Sequence, residues 1–215
     1  MPAPSRPFTA RHVQLCRALL AAVAAVMITF SPDHSAVIGL TVFGGFAVVT
    51  AFVLALAAGL VFPAGRRWPF VLMAAVSLVT GMAASVVAWR SDDLFFVLVI
   101  TWAALTGLVE LLAGIRFRGT DGARDAITVG ALGLLLALAL LVVPSGFVQQ
   151  YTIDSAGTFS LTGIILGVGL FGGYAAIVAV FLGIAGLTPR AKEKAAGAVA
   201  TPAGADSVAD HGGHA

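Results

Sequence analysis

Apolar positions along this chain come in long unbroken blocks, with few one-sided stripes and little alternation of polar with apolar. Six blocks stand out, at about 13–31, 35–60, 69–89, 94–115, 126–143 and 159–187. Each is close to the roughly 20 apolar residues that carry a helix across a bilayer. A membrane strand would alternate its two faces, and runs such as ALGLLLALALLVV (131–143) do not, so every block predicts a helix. The expected fold is an all-α integral membrane protein of six transmembrane helices joined by short connections. Residues 1–12 would precede the bundle, 13–187 would form it, and the alanine-rich stretch 188–215 would be a disordered cytoplasmic tail.

Composition removes the alternative of a water-soluble core. Of 215 residues, 60% are hydrophobic and only 10% charged, against about a quarter charged in a typical soluble domain. Lipid is therefore the first expected partner, and nucleic acid is not expected. The basic residues are distributed unevenly. Arg6, Arg11, Arg17, Arg66, Arg67, Arg116, Arg118, Arg124, Arg190, Lys192 and Lys194 fall on one side of the predicted spans, and Arg90 alone on the other. The positive-inside rule then places both termini in the cytoplasm and the 32–34, 90–93 and 144–158 connections outside, where Asp33, Asp92, Asp93 and Asp154 lie. The segment SPDHSAVIG after the first block lacks a small-x-small cleavage pattern, so that block is expected to remain as a span. Cys16 is the only cysteine, which excludes an intramolecular disulfide. The dominance of Arg over Lys and the abundance of Ala, Gly and Val fit a GC-rich bacterial genome.

A repeat runs through the even spans. VFGGFAVVTAFVLALAAGL (42–60) and LFGGYAAIVAVFLGIAGL (170–187) superpose with Phe43-Gly44-Gly45-Phe46 over Phe171-Gly172-Gly173-Tyr174, and LTGLVELLAGI (105–115) falls about halfway between. The six spans are then expected to be three copies of one helical hairpin. The third copy differs in its outer connection, PSGFVQQYTIDSAGTFS (144–160), which is much longer than the other two and is either a surface loop or an external contact.

Close approach of small residues drives helix packing in lipid. Gly163 and Gly167, and Gly169 and Gly173, are spaced for such approach in the sixth span, and Gly81 with Ser85 in the third; Gly44, Gly45, Gly107 and Gly114 belong to the same set of expected packing positions. They serve either the chain's own helices or a homo-oligomer.

Glu110 is the one acid inside a long apolar run. On a helical wheel it shares a face with Ala103, Thr106, Gly107, Ala113 and Gly114, with Leu105, Leu108, Leu112 and Ile115 opposite, so a neighbouring helix should press on it. Ser77 on the third span, and Thr128 and Ala131 on the fifth, are expected near its depth. An intramembrane acid marks a functional site by default, with a partner to be named. Arg17 is that expected partner, because apolar residues flank it on both sides in QLCRALL (14–20). A structural pair, a protonatable role and snorkelling to the interface all stay open. Thr80, Thr101 and Thr162 are expected to bond their own backbones.

Chemistry is otherwise sparse. The sequence holds no phosphate-binding glycine loop, no metal-ligand spacing and no Ser-His-Asp set; His12, His34, His211 and His214 fall in connections or tails. No catalytic residue and no cofactor or metal is expected. Three hairpins with glycine-centred second helices, WAALTGLVELLAGIRFR (102–118) leading to GALGLLLALALLVVP (130–144), resemble the HdeD-like membrane proteins of bacteria, a six-span inner-membrane family named for acid resistance and without an established biochemical activity. The resemblance covers about 13–187. It implies a non-enzymatic protein contributing to acid or envelope stress tolerance, with another envelope protein or a second copy as partner. Under that implication, loss of charge on Asp33, Asp92, Asp93 and Asp154, with gain on His34, would change the outer surface in acid. The alternative is a small transporter or channel subunit using the polar stripe of the fourth span.

Overall fold

The computed structural model describes residues 8–120, 122–153 and 157–188. Among the described residues six helices cross the molecule: α1 (Ala10–Thr29), α2 (Ala36–Leu60), α3 (Trp68–Ser85), α4 (Asp92–Arg116), α5 (Ala123–Val142) and α6 (Gly163–Leu187). All six are long and apolar enough to span a bilayer. The odd helices have 20, 18 and 20 residues and the even ones 25 each. At 1.5 Å per residue the odd helices only just cross the hydrocarbon, whereas the even ones exceed it by about a turn.

Local chemistry sets the boundaries. α1 starts earlier than the expected 13 because Thr9 closes its first turn, its N–H reaching His12 Nδ1 at 3.3 Å. α3 stops at Ser85, short of the expected 89; the Ser85 hydroxyl donates to the Gly81 carbonyl at 2.8 Å, and Val87–Trp89 forms a separate 3₁₀ turn. At the start of α4, Ser91 Oγ accepts the Leu94 N–H, and Asp92 and Asp93 sit in the positive first turn. The tight α4–α5 connection needs left-handed backbone at Gly119 (φ 83°) and Gly122 (φ 85°), which glycine adopts without strain.

The largest departure lies between α5 and α6. The long connection is not a simple loop. Strands β1 (Val148–Ile153) and β2 (Gly157–Thr162) pair antiparallel, with Tyr151 opposite Phe159. The sixth span therefore begins at Gly163, not 159, and Thr162 caps it instead of bonding its own carbonyls, its hydroxyl accepting the Ile165 N–H at 3.5 Å. Gly163 lies against the Pro144 carbonyl, leaving no room for a side chain. Arg6, Asp154, Arg190, Lys192, Lys194, His211, His214 and almost all of the expected tail lie outside the described residues.

The helices close into a ring in chain order, and α6 returns to pack along α1. The most extensive interfaces are α4–α5, α1–α6 and α2–α3, which join successive hairpins; within a hairpin the helices touch less. α2, α4 and α6 also meet across the axis. Burial recurs at fixed offsets along them. Phe43, Val99 and Phe171 are all fully buried, as are Ala47, Ala103 and Ala175. In each trio the second residue follows the first by 56 positions and the third follows the second by 72. The extra 16 (72 less 56) fall between α5 and α6, where the β-ribbon stands. On the same offsets, buried Leu54 and Leu182 occupy the position of Glu110. Buried Met73 and Val129, spaced by 56, occupy the position of Arg17.

Candidate functional site: a charged cavity at the arginine-rich end

The α4 face that carries Glu110 is buried at Ala103, Thr106, Gly107, Ala113 and Gly114, whereas Leu105, Leu108, Leu112 and Ile115 are exposed. The leucines face lipid, and the small residues admit a neighbour closely enough to exclude it. Glu110 itself is 7% exposed. A carboxylate so placed requires a charged or hydrogen-bonding partner.

Arg17 supplies it from α1. Arg17 Nη1 donates to Glu110 Oε1 at 2.6 Å and Nη2 to Oε2 at 2.9 Å, a two-point fork that fixes both planes. The pair spans the ring between helices that are not neighbours in it. Tyr174 on α6 lies within electrostatic reach of both members.

Toward the end of the bundle, further polar contacts from α1 surround the pair. Gln14 Nε2 donates to Asp125 Oδ2 on α5 at 2.7 Å, and Arg11 Nε donates to the Gly186 carbonyl at 2.6 Å, a cation set on the last turn of α6 where the helix dipole is negative. The Arg66 guanidinium stands 5.7 Å from the Phe117 ring centre. Gln14, Asp125, Arg66 and Phe117 border a cavity of about 120 Å³. Its walls include Val13, Phe62, Phe70, Met73 and Phe117, and Arg17 and Glu110 line it with Arg66. An apolar site of similar size holds a benzene-sized molecule.

Deeper along the axis the space is filled. Phe43, Phe46, Trp102, Phe171 and Tyr174 meet edge to face, with ring centres 5.5–6.5 Å apart. Trp102 is held by its indole N–H, which donates to Ser77 Oγ at 3.0 Å. Ser77 thus serves the aromatic cluster, not Glu110. Thr128 bonds its own turn through the Arg124 carbonyl, and Ala131 is exposed, so neither completes the acid's surroundings. Thr80 bonds the Val76 carbonyl. Among the described residues, no three His, Cys, Asp or Glu side chains gather as metal ligands would.

The expected packing glycines divide. A Cβ on Gly44 would lie 3.3 Å from the Gly81 carbonyl oxygen, and one on Gly81 would lie 2.9 Å from Val48 N. A Cβ on Gly107 would lie 2.9 Å from the Gly130 carbonyl oxygen, one on Gly114 2.8 Å from the Ala123 carbonyl oxygen, and one on Gly167 2.9 Å from the Phe96 ring. Gly45, Gly169 and Gly173 meet nothing within 4 Å and pack no helix of this chain, because they lie on outward faces of α2 and α6. Sequence reasoning passed over Gly130, Gly133, Gly172 and Gly186, all of which face a neighbouring helix closely. The cavity was likewise unforeseen, since its walls come from five helices and two connections.

No protein-family model, curated protein or solved structure matches the chain.

Proposed function

We propose that this multi-pass membrane protein acts by binding and not by catalysis, taking a small ligand into the cavity floored by Arg17 and Glu110. The carrying observation is the junction of two regions on one axis. A cavity with apolar walls and a fixed, two-point ion pair at its base meets a core packed with five aromatic rings. Such a pair orients a ligand or pins helices, and the packed rings oppose passage along the axis. The arginine-rich end is assigned to the cytoplasm by its charge, so the cavity opens inward in a bacterial inner membrane. The stress-tolerance role belongs to the same proposal and rests on the resemblance to HdeD-like proteins.

A second reading, a transporter subunit, draws on one observation. Thr50 Oγ1 is buried with no hydrogen-bond partner among the described residues, on α2 between Leu54 at the level of Glu110 and Phe46 in the aromatic cluster. It would be a polar step beyond the cavity floor.

Purified protein in sealed vesicles separates the two readings. Binding without transport predicts that small amphiphiles raise the melting temperature and that no ion or solute flux exceeds that of empty vesicles. Reproducible flux abolished by Arg17→Met would replace binding with transport. For the stress role, a deletion strain should survive acid challenge less well than its parent; equal survival removes it.

A further inference from the structure

The β1–β2 ribbon stands at the end opposite the cavity, and neither strand packs extensively on the bundle. A two-stranded hairpin alone is marginally stable in water. Its register gives it two unlike faces. Gln149, Tyr151, Phe159 and Leu161 share one, and Val148, Gln150, Thr152, Thr158, Ser160 and Thr162 the other. Tyr151 and Phe159 stack with ring centres 5.9 Å apart, yet remain 49% and 43% exposed. On the opposite face the Thr152 and Thr158 hydroxyls bond each other at 3.1 Å.

We propose that the ribbon lies in the membrane–water interface with its Tyr151–Phe159 face in the lipid and its threonine face in water. Three observations select lipid as the occupant. The ribbon is tied to two membrane-crossing helices, since β2 runs directly into α6 and β1 follows closely on α5, whose last turn exposes Leu141 and Val142. The other two connections at this end also expose aromatic rings, Phe30 at 81% and Trp89 at 64%, so each of the three contributes to a belt of the kind that marks the bilayer boundary. Finally, neither strand holds a charged residue, so the aromatic face can enter lipid without burying a charge. A second copy adding its strand to the ribbon's edge would satisfy backbone groups and still leave the aromatic face bare.

Spin labels on single cysteines in a Cys16→Ser background test this in liposomes. Gln149→Cys and Leu161→Cys sample the aromatic face without touching the ring pair, and Gln150→Cys and Ser160→Cys sample the other. Oxygen, which partitions into lipid, should collide several-fold more often than a water-soluble nickel chelate at 149 and 161. The preference should reverse at 150 and 160. The doubly labelled Gln150→Cys/Ser160→Cys protein reports a short distance where the ribbon is paired, since these residues are register partners. Equal access of the nickel chelate to both faces, with that distance intact, overturns the proposal in favour of a ribbon standing in water. Exclusion of both reagents at 149 and 161, with dipolar broadening lost on dilution by unlabelled protein, overturns it in favour of a second copy. A ribbon without the short distance overturns it as well.

Discussion

Gly107 on α4 and Gly173 on α6 each stand in a run of small residues spaced for close helix packing, yet the first lies against the backbone of α5 and the second faces open space. The difference is in their company. The stripe of Gly107 also holds Thr106 and Glu110, polar groups that lipid does not accept. It is met by Gly130 and Gly133 on α5, so backbone approaches backbone. The stripe of Gly169 and Gly173 continues through Ile177 and Val180, both exposed, which lipid accepts readily. Spacing shows which residues share a face; the polarity of the remaining members shows whether the face is covered.

Substitutions on the two stripes should differ accordingly, and the largest effect belongs to the charged pair. Arg17→Ala or Glu110→Ala alone leaves a buried charge uncompensated and should cost about 3–5 kcal/mol, read as the shift in reversible unfolding in mixed micelles. The double variant Arg17→Met/Glu110→Leu installs side chains already found at matching positions, Met73 and Leu54, and should recover most of that loss. Strictly additive losses across the cycle would show that the fork carries no coupling.

Gly130→Ala comes next. Its Cβ would lie 2.5 Å from Leu111 N and 2.7 Å from the Gly107 carbonyl oxygen, and since both are backbone atoms the helices must part. Overpacking of this kind costs about 1–3 kcal/mol. An unchanged melting temperature would mean that the α4–α5 seam is looser than described.

Ser77→Ala removes the acceptor of the Trp102 indole N–H and should cost about 1–2 kcal/mol. Its spectroscopic sign is altered tryptophan emission, which a purely global destabilisation would not give below the transition. The smallest effect is Gly173→Ala, expected within about 0.5 kcal/mol of the parent. A loss as large as that of Gly130→Ala would reveal a partner on this face and erase the contrast between the stripes.

The helices were legible because lipid imposes one rule on every residue of a span: the backbone bonds itself and the side chains are apolar. Glu110 and Arg17 were legible for the same reason, since each is an exception to that rule in its own run, and the structure brings them together. The ribbon was harder to see. Residues 148–153 and 157–162 alternate only weakly, because Gln149 shares the face of the aromatic pair and Val148 shares the polar one, and the apolar members near 159 read as the start of a span. Gly130 and Gly133 were passed over because apolar residues flank them on both sides in sequence, and only the arrangement of α5 against α4 shows that they face inward.

The α1–α6 interface carries a consequence for how the protein is made. Every other seam of the ring joins helices that leave the ribosome one after the other, but this one joins the earliest of the six described helices to the latest. Until α6 arrives, Ile28 and Leu15 lack the glycines they pack on, Gly172 and Gly186, and Arg11 lacks the Gly186 carbonyl. The growing chain therefore holds an open, arginine-bearing edge on α1 until α6 is made. Closure of the ring thus waits for α6, and the seam that completes it sets the start of α1 beside the end of α6.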